Sequence, residues 1–417
     1  MNYSDRYLRT LSTLTPQDIL LAEVAARIQL SPTDYQLAVD HYNAIHQHIE
    51  REGSPLFGMV EEFYVQGGFA INATVARHAS DDEFDLDAMI QLTLRVDVDP
   101  EWALSTLDRA IRGERGSRYY DKCERKTRCS TVNYDGMHVD VTPTVRLQGL
   151  SEKTGYIFHS KPEDPNVKKK SLYANPFGFA RWFNQMTPPD QDFAAFFESI
   201  SLDQNRARLL AKADATPVPV QAPAYRKSRA VIALQLIKRW RNLAYDRHHP
   251  SWRLPPSVLQ AFYVGSNAGR TTSLSAELAY QVDRIRVTIA TAHAQNRLVH
   301  AANPACPQDV LTDRWPGSLT EQKIFLDELE AFAKKLRRFE QEGDLEAMQK
   351  ILIDLFGEKP SQGAVHKYVE RYAGDIAVRG GRTLPGKAAI PAALSGIAAA
   401  PRVAQTAPAH KFYGDDV

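Results

Sequence analysis

The chain has 417 residues, 43% of them hydrophobic, which is enough apolar material for two or three compact units and too much for a disordered protein. Its 51 basic and 50 acidic residues nearly cancel, so no global field draws it to nucleic acid or to a membrane surface, and any nucleotide site must be locally basic. Cys123, Cys129 and Cys306 lack CxxC spacing, the N-terminal MNYSDRYLRTL lacks an apolar signal core, and no apolar run reaches the span of about 18 residues; a cytoplasmic protein with reduced thiols and no membrane contact is expected.

The predicted elements begin with Ser31-Pro32 and Asp34, a capping oxygen ahead of a first-turn proline, and Gly53 supplies a stop. Between them Tyr35, Ala38, Tyr42, Ile45 and Ile49 fall at spacings of three and four, giving one apolar stripe on a helix of about 20 residues and about 30 Å. From about Val60 to Gly149 strand and helix signals alternate, as in an α/β palm. EEFYVQ reads as a strand running into Gly67-Gly68, where backbone N–H groups can approach a phosphate chain. Gln66, Gly67 and Gly68 are therefore candidate nucleotide contacts, with a plain tight turn as the alternative.

In the next strand Leu86, Ala88, Ile90, Leu92 and Leu94 form one buried face, which places Asp85, Asp87 and Met89 together on the other. Two carboxylates about 4 Å apart repel by about 4 kcal/mol at an effective dielectric of ~20, a cost that a divalent cation between them removes. Asp99-Pro100 opens a helix carrying Trp102, Leu104, Leu107 and Ile111 and ending at Gly113. Most of the basic run of Arg109, Arg112, Arg115, Arg118, Lys122, Arg125, Lys126 and Arg128 reads as a solvated face, because the spacing by three along Arg109 to Arg118 suits an exposed helix side. Asp135-Gly136 is a two-residue hairpin signal that folds Met137–Val145 back along Cys129–Tyr134, turning Val139 and Val141 inward and Asp140 outward with His138 and Thr142. Asp140 thus becomes the third candidate metal ligand, and three carboxylates on neighbouring strands suit a two-metal site for displacement at phosphorus.

Residues 160–170 and 211–224 read as loops, whereas 225–245 and 318–341 are strongly helical, the second opened by a capping box from Ser318 to Glu321. Lys238 lies within the first of these helices, where from pattern alone it reads as a lysine snorkelling from a core helix. His138, His248 and His249 lack a further ligand at metal-site spacing and read as surface or capping residues. Tyr173, Phe177 and Tyr263 cannot be told apart from core aromatics, so base readout stays unassigned. From about Gly380 the composition turns to Ala, Pro and Gly, which predicts a flexible tail ending in HKFYGDDV.

Strand, glycine turn, D-x-D strand and a later single Asp on a hairpin strand resemble the nucleotidyltransferase superfamily of DNA polymerase beta and the poly(A) polymerases. Between about Val60 and Trp315 the chain more closely resembles the bacterial cGAS/DncV-like nucleotidyltransferases, through RCSTVNYDGMHVDVTP, ALQLIKRWRN and NPACPQDVLTDRW. The resemblance implies an α+β fold: N-terminal helices at 1–55 with a long helix bracing both lobes, a polymerase-beta-like palm of mixed sheet and flanking helices at 56–160, a mostly helical lobe at 161–380 and the tail at 381–417. It implies a synthase of cyclic di- or trinucleotide second messengers from NTPs, with pyrophosphate release, serving anti-phage defence. Asp85, Asp87 and Asp140 would hold two Mg²⁺ ions, with Mn²⁺ as a substitute, and Gln66, Gly67, Gly68 and Lys238 would meet the triphosphate. In some systems of that family a ubiquitin-transferase-like partner joins the C-terminus to targets, which offers such a partner for this tail, against an inert end. One departure is Gly68, where the family usually has serine; the missing hydroxyl removes a contact of about 0.5–1.5 kcal/mol. A linear nucleotidyltransferase acting on RNA, protein or a small acceptor, and a non-catalytic scaffold, are the alternative readings.

Overall fold

The computed structural model describes residues 14–75, 84–161, 164, 168–190, 193 and 227–378. The expected tail at 381–417 and its conjugation site, like the expected loop at 211–224, lie outside the described residues.

Two N-terminal helices come first. Helix α1 (Pro16–Arg27) starts with a capping box in which the Thr15 hydroxyl accepts from the Asp18 N–H and the Asp18 carboxylate accepts from the Thr15 N–H. The other Asp18 oxygen accepts from the N–H and hydroxyl of Ser275, while Gln17 donates to carbonyls of Phe339 and Glu342. Ile19, Leu20, Leu21 and Val24 are buried in the core of the helical lobe. Helix α2 (Pro32–Ile49) is capped by Ser31 and buries the predicted stripe, Ala38, Tyr42, Ile45 and Ile49, in the other core, that of the palm. Its Tyr42 hydroxyl donates to the Phe63 carbonyl at 2.6 Å. The span between lobes is thus shared, α2 lying on the palm and α1 on the helical lobe.

The palm follows: β1 (Val60–Gln66), α3 (Gly67–Ala70), β2 (Phe84–Leu92), α4 (Pro100–Arg112), β3 (Cys123–Arg125), β4 (Ser130–Tyr134), β5 (Met137–Arg146), β6 (Gly155–His159) and β7 (Lys170–Ala174). The sheet order is β1-β2-β5-β4-β3, with β6 on β5 and β7 on β6, so it continues past residue 160. Among the described residues only the central β2/β5 pair is parallel. The predicted hairpin forms across Asp135-Gly136, with Gly136 at φ +72° as such a turn requires. Leu86, Ala88, Ile90, Val139 and Val141 are fully buried against α2 and α4.

The helical lobe comprises α5 (Pro176–Met186), α6 (Arg229–His248), α7 (Ser257–Asn267), α8 (Leu274–Ala294), a small hairpin of β8 (Ala302–Asn303) and β9 (Cys306–Val310), α9 (Leu319–Gln341), α10 (Leu345–Phe356) and α11 (Glu358–Val378). Helix α6 is its axis, buried along nearly all its length, with Trp240 stacked on Phe332 at 4.3 Å. At the start of α9 the Ser318 hydroxyl accepts from the Glu321 N–H, as the capping box predicts, while the Glu321 carboxylate reaches the Gly317 N–H. Among the described residues no helix is long and apolar enough to cross a membrane.

Candidate active site

Strand pairing assembles the acids. Gln66 on β1 is the register partner of Asp87 on β2, Asp87 that of Asp140 on β5, and Asp140 that of Thr131 on β4. Register partners share a face at a strand spacing of about 4.8 Å, so these four residues form a row across the sheet on the side opposite the palm core. Asp85, two positions along β2, shares that face and pairs with His138.

The row floors two adjoining cavities. One, of about 580 Å³, is lined by Gln66, Gly67, Gly68, Asp85, Asp87 and Lys238; the other, of about 1030 Å³, by Asp85, Asp140, His138 and the basic residues Arg112, Arg125 and Lys126. Asp85, Arg128 and Arg314 line both. Asp140 accepts a 2.5 Å hydrogen bond from the Thr131 hydroxyl at Oδ1. Burial raises its pKa; the Thr131 bond opposes that and the nearby Asp85 charge adds to it. The three carboxylates do not close into one tight triad: among the described residues, the single His/Cys/Asp/Glu set with ligand atoms all within 4.8 Å of one another is His248, His249 and Glu328. The donors of Asp85, Asp87 and Asp140 are all carboxylate oxygens, which suits hard cations such as Mg²⁺.

The glycine turn is fitted to this floor. Gly67 has φ +60°, and a Cβ there would lie 2.1 Å from Asp87 Oδ2, so only glycine leaves that carboxylate its position. A Cβ on Gly68 would lie 3.3 Å from both Lys238 Nζ and the Thr74 Cα. Lys238 thus reaches the turn from the other lobe, and its ammonium donates to the Ala73 carbonyl at 2.7 Å. One turn earlier on α6, Gln235 donates to the Thr74 carbonyl at 2.8 Å. Burial, reinforced by Arg241, pushes the Lys238 pKa down to about 8 against the pull of Asp87 and Asp85.

Other readings are revised. The basic run is not one solvated helix face: α4 ends at Arg112, Arg112 pairs with Asp108 and Arg125 with Glu101, and Arg128 pairs with Asp313 across to the helical lobe. The period of three ran on past Gly113 and hid this. Tyr173, Phe177 and Tyr263 are not among the residues lining the first cavity; Ile157, Phe179, Leu254 and Val258 supply its apolar wall. Gln235, Arg241, Asn303 and Asp309 lie in segments that carried the resemblance but received no role from the sequence, although Gln235 and Arg241 sit one turn on either side of Lys238. Asp309 bonds to the Asn303 side chain and the Asn175 N–H, and burial raises its pKa.

Residues 61–143 match the family model for the nucleotidyltransferase domain of DncV-like cyclic GMP-AMP synthases. The cyclic dinucleotide synthase CdnG of Bradyrhizobium diazoefficiens is 36% identical over 405 residues, covering 96% of this chain and 95% of the relative. The chain belongs to the DncV-like nucleotidyltransferase family. A second relative, the c-di-GMP synthase of Roseivirga ehrenbergii, is 24% identical over 363 residues, 85% of this chain and 87% of its own. The structure of B. diazoefficiens CdnG in complex with GTP matches with a TM-score of 0.73 at 35% identity, covering 85% of this chain and 98% of that one. In this DncV-like nucleotidyltransferase the palm is therefore the matched domain, and the lobe that carries Lys238 is included in the similarity to CdnG.

Proposed function

We propose that the protein joins two nucleoside triphosphates, at least one of them GTP, into a cyclic dinucleotide second messenger with release of two pyrophosphates. The observation that carries this reading is the Gln66–Asp87–Asp140 row, with Asp85 beside it, flooring two cavities that meet at Asp85, Arg128 and Arg314. A ring-closing enzyme must hold a donor and an acceptor nucleotide side by side. The names of the two relatives, a cyclic dinucleotide synthase and a c-di-GMP synthase, and the GTP bound to CdnG support the substrate class.

The donor triphosphate lies on the Gly67-Gly68 backbone, with the Lys238 ammonium as its counter-charge; a compact cation suits a phosphate chain. Asp85, Asp87 and Asp140 would hold two divalent cations, Mg²⁺ or Mn²⁺, which when bound neutralise the phosphates and acidify the acceptor hydroxyl. The acceptor occupies the basic second cavity, its ribose hydroxyl beside Asp140. Its oxygen attacks the α-phosphorus in line, the bond to pyrophosphate breaks, and the hydroxyl proton passes to water in the cleft or to the Asp140 carboxylate beside it. The linear product then turns over, its remaining triphosphate enters the first cavity, and a second displacement closes the ring.

The test is full-length protein incubated with the four NTPs and Mg²⁺, with products read by mass analysis after phosphatase treatment. A phosphatase-resistant cyclic product is expected, absent from Asp87→Asn and Asp140→Asn variants that melt as the parent does. Undiminished turnover in either variant refutes the carboxylate assignment; exclusively linear, phosphatase-sensitive products refute cyclisation.

A further inference from the structure

The last turn of α6 ends in two adjacent histidines whose ring nitrogens converge on one residue of α9. His248 Nδ1 lies 2.9 Å and His249 Nε2 3.0 Å from the same oxygen, Glu328 Oε1. All three ligand atoms fall within 4.8 Å of one another. About 15 Å of helix separates His248 from Lys238, and none of the three residues lines either cavity of the nucleotide cleft, so this is a separate constellation.

We propose that His248, His249 and Glu328 bind a zinc ion that clamps the end of α6 to α9. In a tetrahedral zinc site with bonds of about 2.0–2.1 Å, neighbouring ligand atoms stand about 3.3–3.4 Å apart, so the two N···O separations need to open by only about 0.4 Å. Two imidazoles and one carboxylate form a donor set that suits zinc and disfavours Mg²⁺, which prefers oxygen ligands. The ligands are held in advance. The His249 N–H donates to the Tyr245 carbonyl at 2.8 Å, its carbonyl accepts from Trp252, and its ring meets Tyr245 edge-on at 5.5 Å. Glu328 is only 14% exposed, on a helix anchored by the buried Phe325, Leu329 and Phe332. His248 is 51% exposed, which gives the ion an entry path and a water as fourth ligand. On binding, the His248 proton resides on Nε2 and the His249 proton on Nδ1, leaving the two converging nitrogens their lone pairs.

The deciding experiment titrates ZnCl₂ into the full-length protein in a large excess of Mg²⁺, which occupies the carboxylates of the cleft. One zinc per chain is expected, with a rise in melting temperature. His249→Gln and Glu328→Gln should each lower the affinity by at least about 100-fold, the upper end of what losing a mere partner of a ligand costs, and should abolish the thermal shift. His300→Gln, remote in sequence and exposed, should change neither reading. Both test variants are melted with chelator present, so that a folding defect is read apart from metal loss. Zinc binding of unchanged strength in the two variants, or no zinc retained by the parent, overturns the proposal.

Discussion

Replacing Lys238 by methionine separates stability from function, because the ammonium is held where burial opposes its charge. Its pKa falls from 10.5 to about 8, which at 1.36 kcal/mol per pH unit is a cost of about 3 kcal/mol for carrying the charge in the fold at neutral pH. The sign follows from linkage. As pH rises the folded state loses this proton near 8 while the unfolded state keeps it to 10.5, so the unfolded chain binds more protons in that window and stability rises with pH through it. Compared with Lys238→Met, the parent should therefore gain about 3 kcal/mol between about pH 7 and pH 10.5, measured by urea unfolding of both proteins at each pH. The bond from Nζ to the Ala73 carbonyl is lost in the variant at every pH and cancels from the comparison. In return kcat/KM for NTP should fall by about 10- to 150-fold, the equivalent of a charge-assisted hydrogen bond of about 1.5–3 kcal/mol. A stability difference that stays flat from neutral to alkaline pH would refute the account of a buried, strained charge.

Two further outcomes follow from the floor of the cleft. Gly67→Ala puts a methyl group 2.1 Å from Asp87 Oδ2 at a positive φ, so the carboxylate must move and turnover should drop by about 100-fold or more, as it does for a displaced reacting group, with circular dichroism unchanged. Thr131→Val removes the hydroxyl that favours the Asp140 carboxylate, so the acid limb of the pH–rate profile should move upward; on that limb the rate falls by roughly 10-fold, the equivalent of ~1.5 kcal/mol, and converges with the parent at higher pH.

Much of this was legible in the chain, because the informative signals are local. The alternation around Asp85 and Asp87 fixed their face, and the Asp135-Gly136 turn fixed that of Asp140. Beyond the predicted β4/β5 hairpin, what the sequence could not show is the strand order and direction. The parallel β2/β5 pairing joins segments about fifty residues apart and puts Asp87 opposite Asp140, a long-range fact that no spacing encodes. The spread of the carboxylates, and the division of labour between α1 and α2, are likewise products of packing. The basic run was read only in part: Arg115, Arg118, Lys122 and Lys126 are exposed as expected, but the period of three outlasted the helix, and Arg112, Arg125 and Arg128 pair with Asp108, Glu101 and Asp313. The meeting of His248 and His249 with Glu328 was not visible because Glu328 arrives from eighty residues downstream.

The turn at Asp135-Gly136 holds no chemistry of its own, yet it sets the phase of everything on β5. With a side-chain repeat of two, lengthening or shortening that turn by one residue would send Asp140 into the palm core and bring Val139 or Val141 to the cleft. Enzymatic competence in this protein is thus counted out at a bend, where parity rather than reactivity is at stake.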